Sequence, residues 1–301
     1  MAEISLIAGY ATIGQGAGPM IVTERAGLFA KHGLDVKTRL MDGARGVVKG
    51  LMDGAIQFGN LAAPALLRAD LQEGADLVFL TGGINQQFLV GRPGIKDRKQ
   101  LSGASIGLMG DRGLNDVLVH FVIDRLHKSG VHPVRFTWVQ SEGIEGIAAL
   151  IAGRCDAMVL TPPHAVEAKR RGCVFLVDFA EFGLNYALGG IAARRRTVRK
   201  ETETVRKFIK AYVEGLHRYR TDRQFTVKIQ QEYSRIKDRS VAEETYDLTQ
   251  PGMPEIPYPV APALAIALKV MTKDLPAAAK ADPERFIDDR FIRELANSAP
   301  T

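Results

Sequence analysis

Apolar runs of strand length alternate along the chain with segments whose apolar residues recur at helical spacing, and most of those segments end at a glycine. Ile4–Ala8 reads as a strand. The glycine-rich stretch Gly9–Gly18 reads as a long loop, and Pro19 fits the first position of a helix that runs to about Lys31, with Gly33 closing it. Val36–Met41 is a second strand, Arg45–Met52 a helix stopped by Gly54, Ile56–Gly59 a third strand, Pro64–Leu71 a helix and Leu77–Thr81 a fourth strand. This βαβ alternation predicts a mainly parallel sheet with crossovers on both faces.

Phe88–Val90 reads as a short strand, followed by Arg92-Pro93-Gly94 and a charged turn over Lys96–Lys99, where the chain can leave the first unit. A second series then begins: strand Ser105–Leu108, helix Asn115–Lys128, strand Phe136–Val139, helix Ile144–Ala152, strand Ala157–Leu160, helix His164–Arg171 and strand Val174–Val177. Gly189–Ala193 is another strand, and the rest is helix or loop. At 301 residues the chain is twice the ~150 of one typical domain, so two units fit. A short echo supports related halves: Leu51–Phe58 parallels Leu150–Ala157, each reading helix, Gly, strand. The tail holds a capping-box pattern, Ser240-x-x-Glu243, and a proline-rich connector.

Composition narrows the classes. Hydrophobic residues at 46% and charged residues at 25% are globular proportions, and runs such as Ile147–Ala152 fall far short of the ~20 residues of a membrane span. A net charge of +6 biases the chain toward anions, but its basic clusters lack the aromatic interleaving of a single-strand binder, so no nucleic-acid partner is expected. Cys155 and Cys173 alone make no metal site; each precedes an apolar run and is expected as a buried thiol. The start Met1-Ala2-Glu3 has no basic or apolar leader pattern, which leaves either a cytoplasmic protein or one whose signal peptide was removed.

Motifs for catalysis fail on context. Gly103–Gly107 matches G-x-S-x-G, but a loop precedes Ser105 and a strand follows it, the reverse of a nucleophile elbow. Gly14–Gly18 with Asp42 resembles a dinucleotide fingerprint, yet its spacing is G-x-G-x-G and the loop is too long for the tight turn; a nucleotide-binding oxidoreductase stays a minor alternative. The histidines lack a carboxylate or thiol at fixed spacing. No nucleophile–base pair emerges, which favours binding over chemistry.

In open parallel sheets ligands gather at strand C-termini. The candidate lining residues are Tyr10, Ile13, Gln15, Arg45, Asn60, Leu61, Thr81, Gly82 and Gly83 in the first series. In the second they are Gly110, Asp111, Arg112, Gly113, Thr161, Pro162, Asn185 and Tyr186. Gly110–Gly113 is the most pointed, because it enters a helix whose N-terminus favours an anion with a guanidinium alongside. Asp111 or Asn115 could instead cap that helix.

The segment Glu24-Arg25-Ala26-Gly27-Leu28-Phe29-Ala30-Lys31-His32-Gly33-Leu34-Asp35-Val36 resembles the nitrate/sulfonate/taurine-type substrate-binding proteins of ABC transporters, relatives of thiamine-pyrimidine-synthase-like proteins. Leu101–Gly107 and Leu150–Ala157 are similar to further family segments. The resemblance implies an α/β, two-lobed, type II periplasmic-binding-protein fold with the ligand cleft between lobes. It places lobe I at 1–92 and 188–301, lobe II at 93–187, and hinges near Gly91–Gly94 and Tyr186–Gly190. It implies capture of a small organic anion for an ABC permease, in the periplasm, as a monomer that meets the membrane only through that permease, with no cofactor and no metal. An enzyme on the same scaffold, acting on a cyclic metabolite, is the alternative; the cysteine-rich motif of pyrimidine synthesis is absent from the sequence.

Overall fold

The computed structural model describes residues 4–109, 112–132, 135–139, 143–184 and 188–298. The chain divides into two compact units: Met1–Ile84 with Tyr186–Thr301, and Asn85–Asn185. Among the described residues the first unit holds strands β1 (Ile4–Tyr10), β2 (Leu34–Leu40), β3 (Phe58–Ala62), β4 (Leu77–Phe79) and, from after the return, β10 (Gly189–Arg194). The second holds β5 (Phe88–Gly91), β6 (Ser105–Leu108), β7 (Arg135–Trp138), β8 (Ala157–Leu160) and β9 (Val174–Asp178).

The sheet orders are β2-β1-β3-β10-β4 and β7-β6-β8-β5-β9. In each, four strands run one way and the strand in fourth place opposes both its neighbours. The opposing strands are β5, the first after the chain leaves unit one, and β10, the first after it returns. The mainly parallel sheets expected from βαβ alternation are therefore mixed. An apolar run looks the same whichever way the strand points, so periodicity carries no direction.

The first crossover lies at Ile84/Asn85 rather than 92/93, because Phe88–Gly91 pairs with β8 and β9 and belongs to the second sheet. Gly91–Gly94 is consequently inside unit two, where Arg92 Nε donates to Asp156 Oδ1 at 2.8 Å. The single helix expected to Lys31 is two, Gly18–Arg25 and Leu28–Lys31, broken where Gly27 takes a left-handed φ of 68°. The Ser240–Glu243 box does not form. Asp238 caps the helix Arg239–Thr249 by accepting the Ser240 amide at 2.8 Å, and Glu243 pairs with Arg239.

Packing follows the helical stripe of Thr202–Thr221, which buries Val205, Phe208, Ile209, Tyr212, Leu216 and Tyr219 against the first unit. Phe208 stacks on Phe58 and Phe29 at centroid distances of 3.7 and 4.9 Å. In the second unit Leu114–Lys128 buries Val117, Leu118, Phe121 and Val122. Both cysteines are free and buried beside β8 and β9.

The sequence echo falls on equivalent elements, since β3 and β8 each take third place in their sheet. Gln57 Oε1 accepts the Ile7 amide of β1 at 2.9 Å, and the aligned Asp156 accepts the Ser105 amide of β6 at 2.8 Å. One tie between first and third strands is thus built twice, once neutral and once charged.

Candidate functional site

Parallel register brings the C-terminal ends of β1 and β3 together in the first unit. Tyr10 lies beside Asn60, whose other neighbour is Ile191 of β10, and the Ala11 amide donates to Asn60 O at 3.1 Å. Tyr10, Ile13 and Asn60 are half-buried here, Leu61 and Gln15 are buried, and Arg45 is exposed on the helix Gly43–Asp53. Burial raises the Tyr10 phenol above its usual value, Glu24 adds to this, and Arg25 and Arg235 oppose it. Tyr10 therefore remains a neutral donor at physiological pH.

Thr81 and Gly82 sit differently from the expectation that they line a ligand loop. Thr81 is fully buried, its hydroxyl donates to Gly82 O at 3.0 Å, and it accepts the Ile191 amide at 3.0 Å. The Gly82 amide donates to Pro257 O at 2.6 Å, and a Cβ on Gly82 would stand 2.3 Å from Tyr258 O. Both residues fasten β10 and the tail to β4. Gly83, the next residue, is half-buried.

In the second unit Arg112 is exposed and takes a φ of 56°, a left-handed conformation uncommon for a side-chain-bearing residue. Gly113 takes the N-cap position of the following helix and Asn115 lies inside it, so Asn115 is not the cap, while Asp111, like Gly110, lies outside the described residues. The buried Asp116 closes the loop, accepting the Met109 and Arg112 amides at 3.1 Å each. Asn115 turns inward, with Nδ2 3.4 Å from Val159 O. Gly113 precedes the helix, while Thr161 and Pro162 are buried at the end of the neighbouring β8. Asn185 and Tyr186 also lie outside the described residues.

Sequence reasoning missed three groups at these ends. Asp116 sits in the first turn of its helix, where an acid is a recognised signal. Arg235, from the distant tail, bears electrostatically on Tyr10, which no local pattern reveals. His164 follows Pro162-Pro163 and is buried; burial lowers its pKa against the opposing pull of Glu145 and Glu167, so the ring is neutral at pH 7. Its Nδ1 meets no hydrogen-bonding partner among the described residues. Among the described residues no three His, Cys, Asp or Glu side chains gather for a metal.

Two α/β units of one strand order, each carrying one opposing strand beside a crossover, define the two-lobed type II periplasmic-binding-protein fold. The chain belongs to the NMT1/THI5-like family, whose pattern its residues 16–222 match. No curated protein sequence matches it. It is similar in structure to the periplasmic aliphatic sulphonate binding protein SsuA from Escherichia coli, with a TM-score of 0.77 and 17% identity over 95% of this chain and 92% of that one. The periplasmic nitrate-binding protein NrtA from Synechocystis PCC 6803 gives 0.75 and 12%, over 98% and 89%. The desulfurization enzyme DSZB gives 0.70 and 15%, over 97% and 99%.

Proposed function

We propose that this protein is the solute-binding component of an ABC importer, capturing a small organic anion such as a sulfonate or carboxylate for a membrane permease. The observation that carries the reading is the exposed Arg112 guanidinium, held by the Asp116-closed loop at the entrance to the helix Leu114–Lys128. A guanidinium in a fixed loop is suited to charge-assisted recognition of an oxyanion. The named ligands of SsuA and NrtA, a sulphonate and nitrate, are anions of that kind. Those proteins are periplasmic, and we place this one there too, as a monomer and without a cofactor.

The likeness to DSZB keeps an enzyme in view. Against it, burial pushes the Cys155 thiol up to about 11, with Asp156 adding to the rise, and burial raises Cys173 as well. Both are thiols at neutral pH, and the thiolate is the nucleophile.

Thermal-shift screening against alkanesulfonates, carboxylates, nitrate and pyrimidines tests the proposal, because ligand at 100 times its Kd adds ~2.7 kcal/mol of stability. A shift with an anion that is recovered intact is expected. Consumption of that anion would sink the binder reading, and a shift with neutral pyrimidines alone would sink the anion reading.

A further inference from the structure

The strands β6, β7, β8 and β9 run in one direction, so the segments leading into them share one end of the second unit. Five bases at that end, Lys96, Lys99, Lys128, Arg135 and Arg154, are exposed and form no ion pair among the described residues. Their neighbours Arg92 and Arg171 are answered by Asp156 at 2.8 Å and Glu167 at 2.6 Å. Of the five, only Lys128 lies in the last turn of an α-helix, where the helix dipole would account for it.

Beside these bases β7 is the outer strand of its sheet. It exposes Phe136 by 49% and Trp138 by 71%, and Ile151, which ends the following helix, is 45% exposed. Phe136 also lines a groove of about 430 Å³ with Ser105, Arg135, Thr137 and Arg154. Guanidinium groups with no ion pair among the described residues therefore meet the exposed Phe136 ring, and Trp138 stands two residues further along the same outer strand.

We propose that this end of the second unit, together with the outer strand β7, docks on an anionic phospholipid surface, with Arg135 and Arg154 on headgroup phosphates and Phe136 and Trp138 at the headgroup–acyl boundary. Aromatic rings beside bases match that boundary, where apolar and charged groups are both accommodated. An acidic peptide would answer the bases and leave the rings in water. A second copy docked through β7 would set Arg135 and Arg154 near their own symmetry mates, with like charges opposed.

Trp138 is the one tryptophan in the chain, so its emission reports the contact without ambiguity. The full chain is mixed with vesicles of phosphatidylglycerol and, separately, of phosphatidylcholine. Cosedimentation with the first and not the second is expected, with a blue shift of Trp138 emission, both weakened by salt. Each base near the surface contributes about fivefold, so the double variant Arg135→Glu/Arg154→Glu should bind at least about 25-fold more weakly. Arg196→Glu, an exposed change in the first unit, should bind as the parent does. Equal binding to both lipids, an unshifted Trp138, an equal loss in the Arg196 variant, or a concentration-dependent blue shift without vesicles would each overturn the proposal.

Discussion

The carboxylate of Asp116 accepts the Arg112 amide at 3.1 Å, and its other oxygen takes the Met109 amide at the same distance. One buried acid thus ties both sides of the loop that follows β6 to the first turn of the next helix. Asp116→Ala leaves two amides to find other partners and should cost about 1–3 kcal/mol in urea unfolding. Asp116→Asn, which keeps one acceptor, should fall between. An unchanged midpoint in the alanine variant would mean that the loop is held elsewhere.

Arg112 is better tested by glycine than by alanine. Its φ of 56° costs an L-residue about 1–2 kcal/mol, and alanine would keep that strain while glycine relieves it. Arg112→Gly should therefore stay within about 1 kcal/mol of the parent in stability, because the relief offsets the entropy of a freer unfolded chain. Its affinity for the best anion of the screen should fall about ten- to a hundredfold. Calorimetric titration measures this, and retained affinity would remove Arg112 from the site.

Asp156 gives the second unit a dependence on acid that its counterpart Gln57 cannot give the first. Burial alone would raise its carboxyl, but the Ser105 amide, the Arg92 guanidinium and the Ser105 hydroxyl outweigh that and hold it below the usual 3.8. A depressed folded value means that the stabilisation is complete above the unfolded value and is lost as pH falls through the folded one. The parent should therefore lose stability below about pH 4 more steeply than Asp156→Asn. At neutral pH the variant should be about 1–3 kcal/mol weaker, with the two curves converging in acid. Parallel curves would show that the carboxylate's charge is not what the tie uses.

The strands and most helices were legible because apolar periodicity and helix-ending glycines are local signals. Gly54 and Gly153, the helix-ending glycines of the two echoed segments, have φ of 78° and 67°. Strand direction was not legible, nor was the transfer of Phe88–Gly91 to the second sheet, because both are decided by pairing with distant residues, about 65–90 positions away for β5 and about 115–130 for β10. The site divides in the same way. That Tyr10, Asn60 and Arg112 stand at or just after strand C-terminal ends could be read from loop position alone. The roles of Thr81 and Gly82 depend on Ile191 and Pro257, which are far off in sequence. The acid that closes the Arg112 loop is one residue beyond the cap position that local rules favour.

Where β10 enters the first sheet, three stretches of backbone meet with no space left for a side chain. The Thr81 hydroxyl accepts the Ile191 amide, and a Cβ on Gly190 would stand 1.9 Å from Thr81 O. The clash is with backbone, which cannot turn aside as a flexible side chain would. Gly190→Ala should therefore cost about 1–3 kcal/mol or more. Thr81→Val keeps the shape but leaves the buried Ile191 amide without its acceptor, for about 1–3 kcal/mol, whereas Thr81→Ser restores the acceptor and should recover most of the loss. Urea unfolding ranks the three variants, and hydrogen exchange at the Ile191 amide separates the causes: it should quicken in Thr81→Val and stay slow in Thr81→Ser. If serine lost stability and valine did not, Thr81 would act through its methyl group, and its hydroxyl would not be the link that anchors β10.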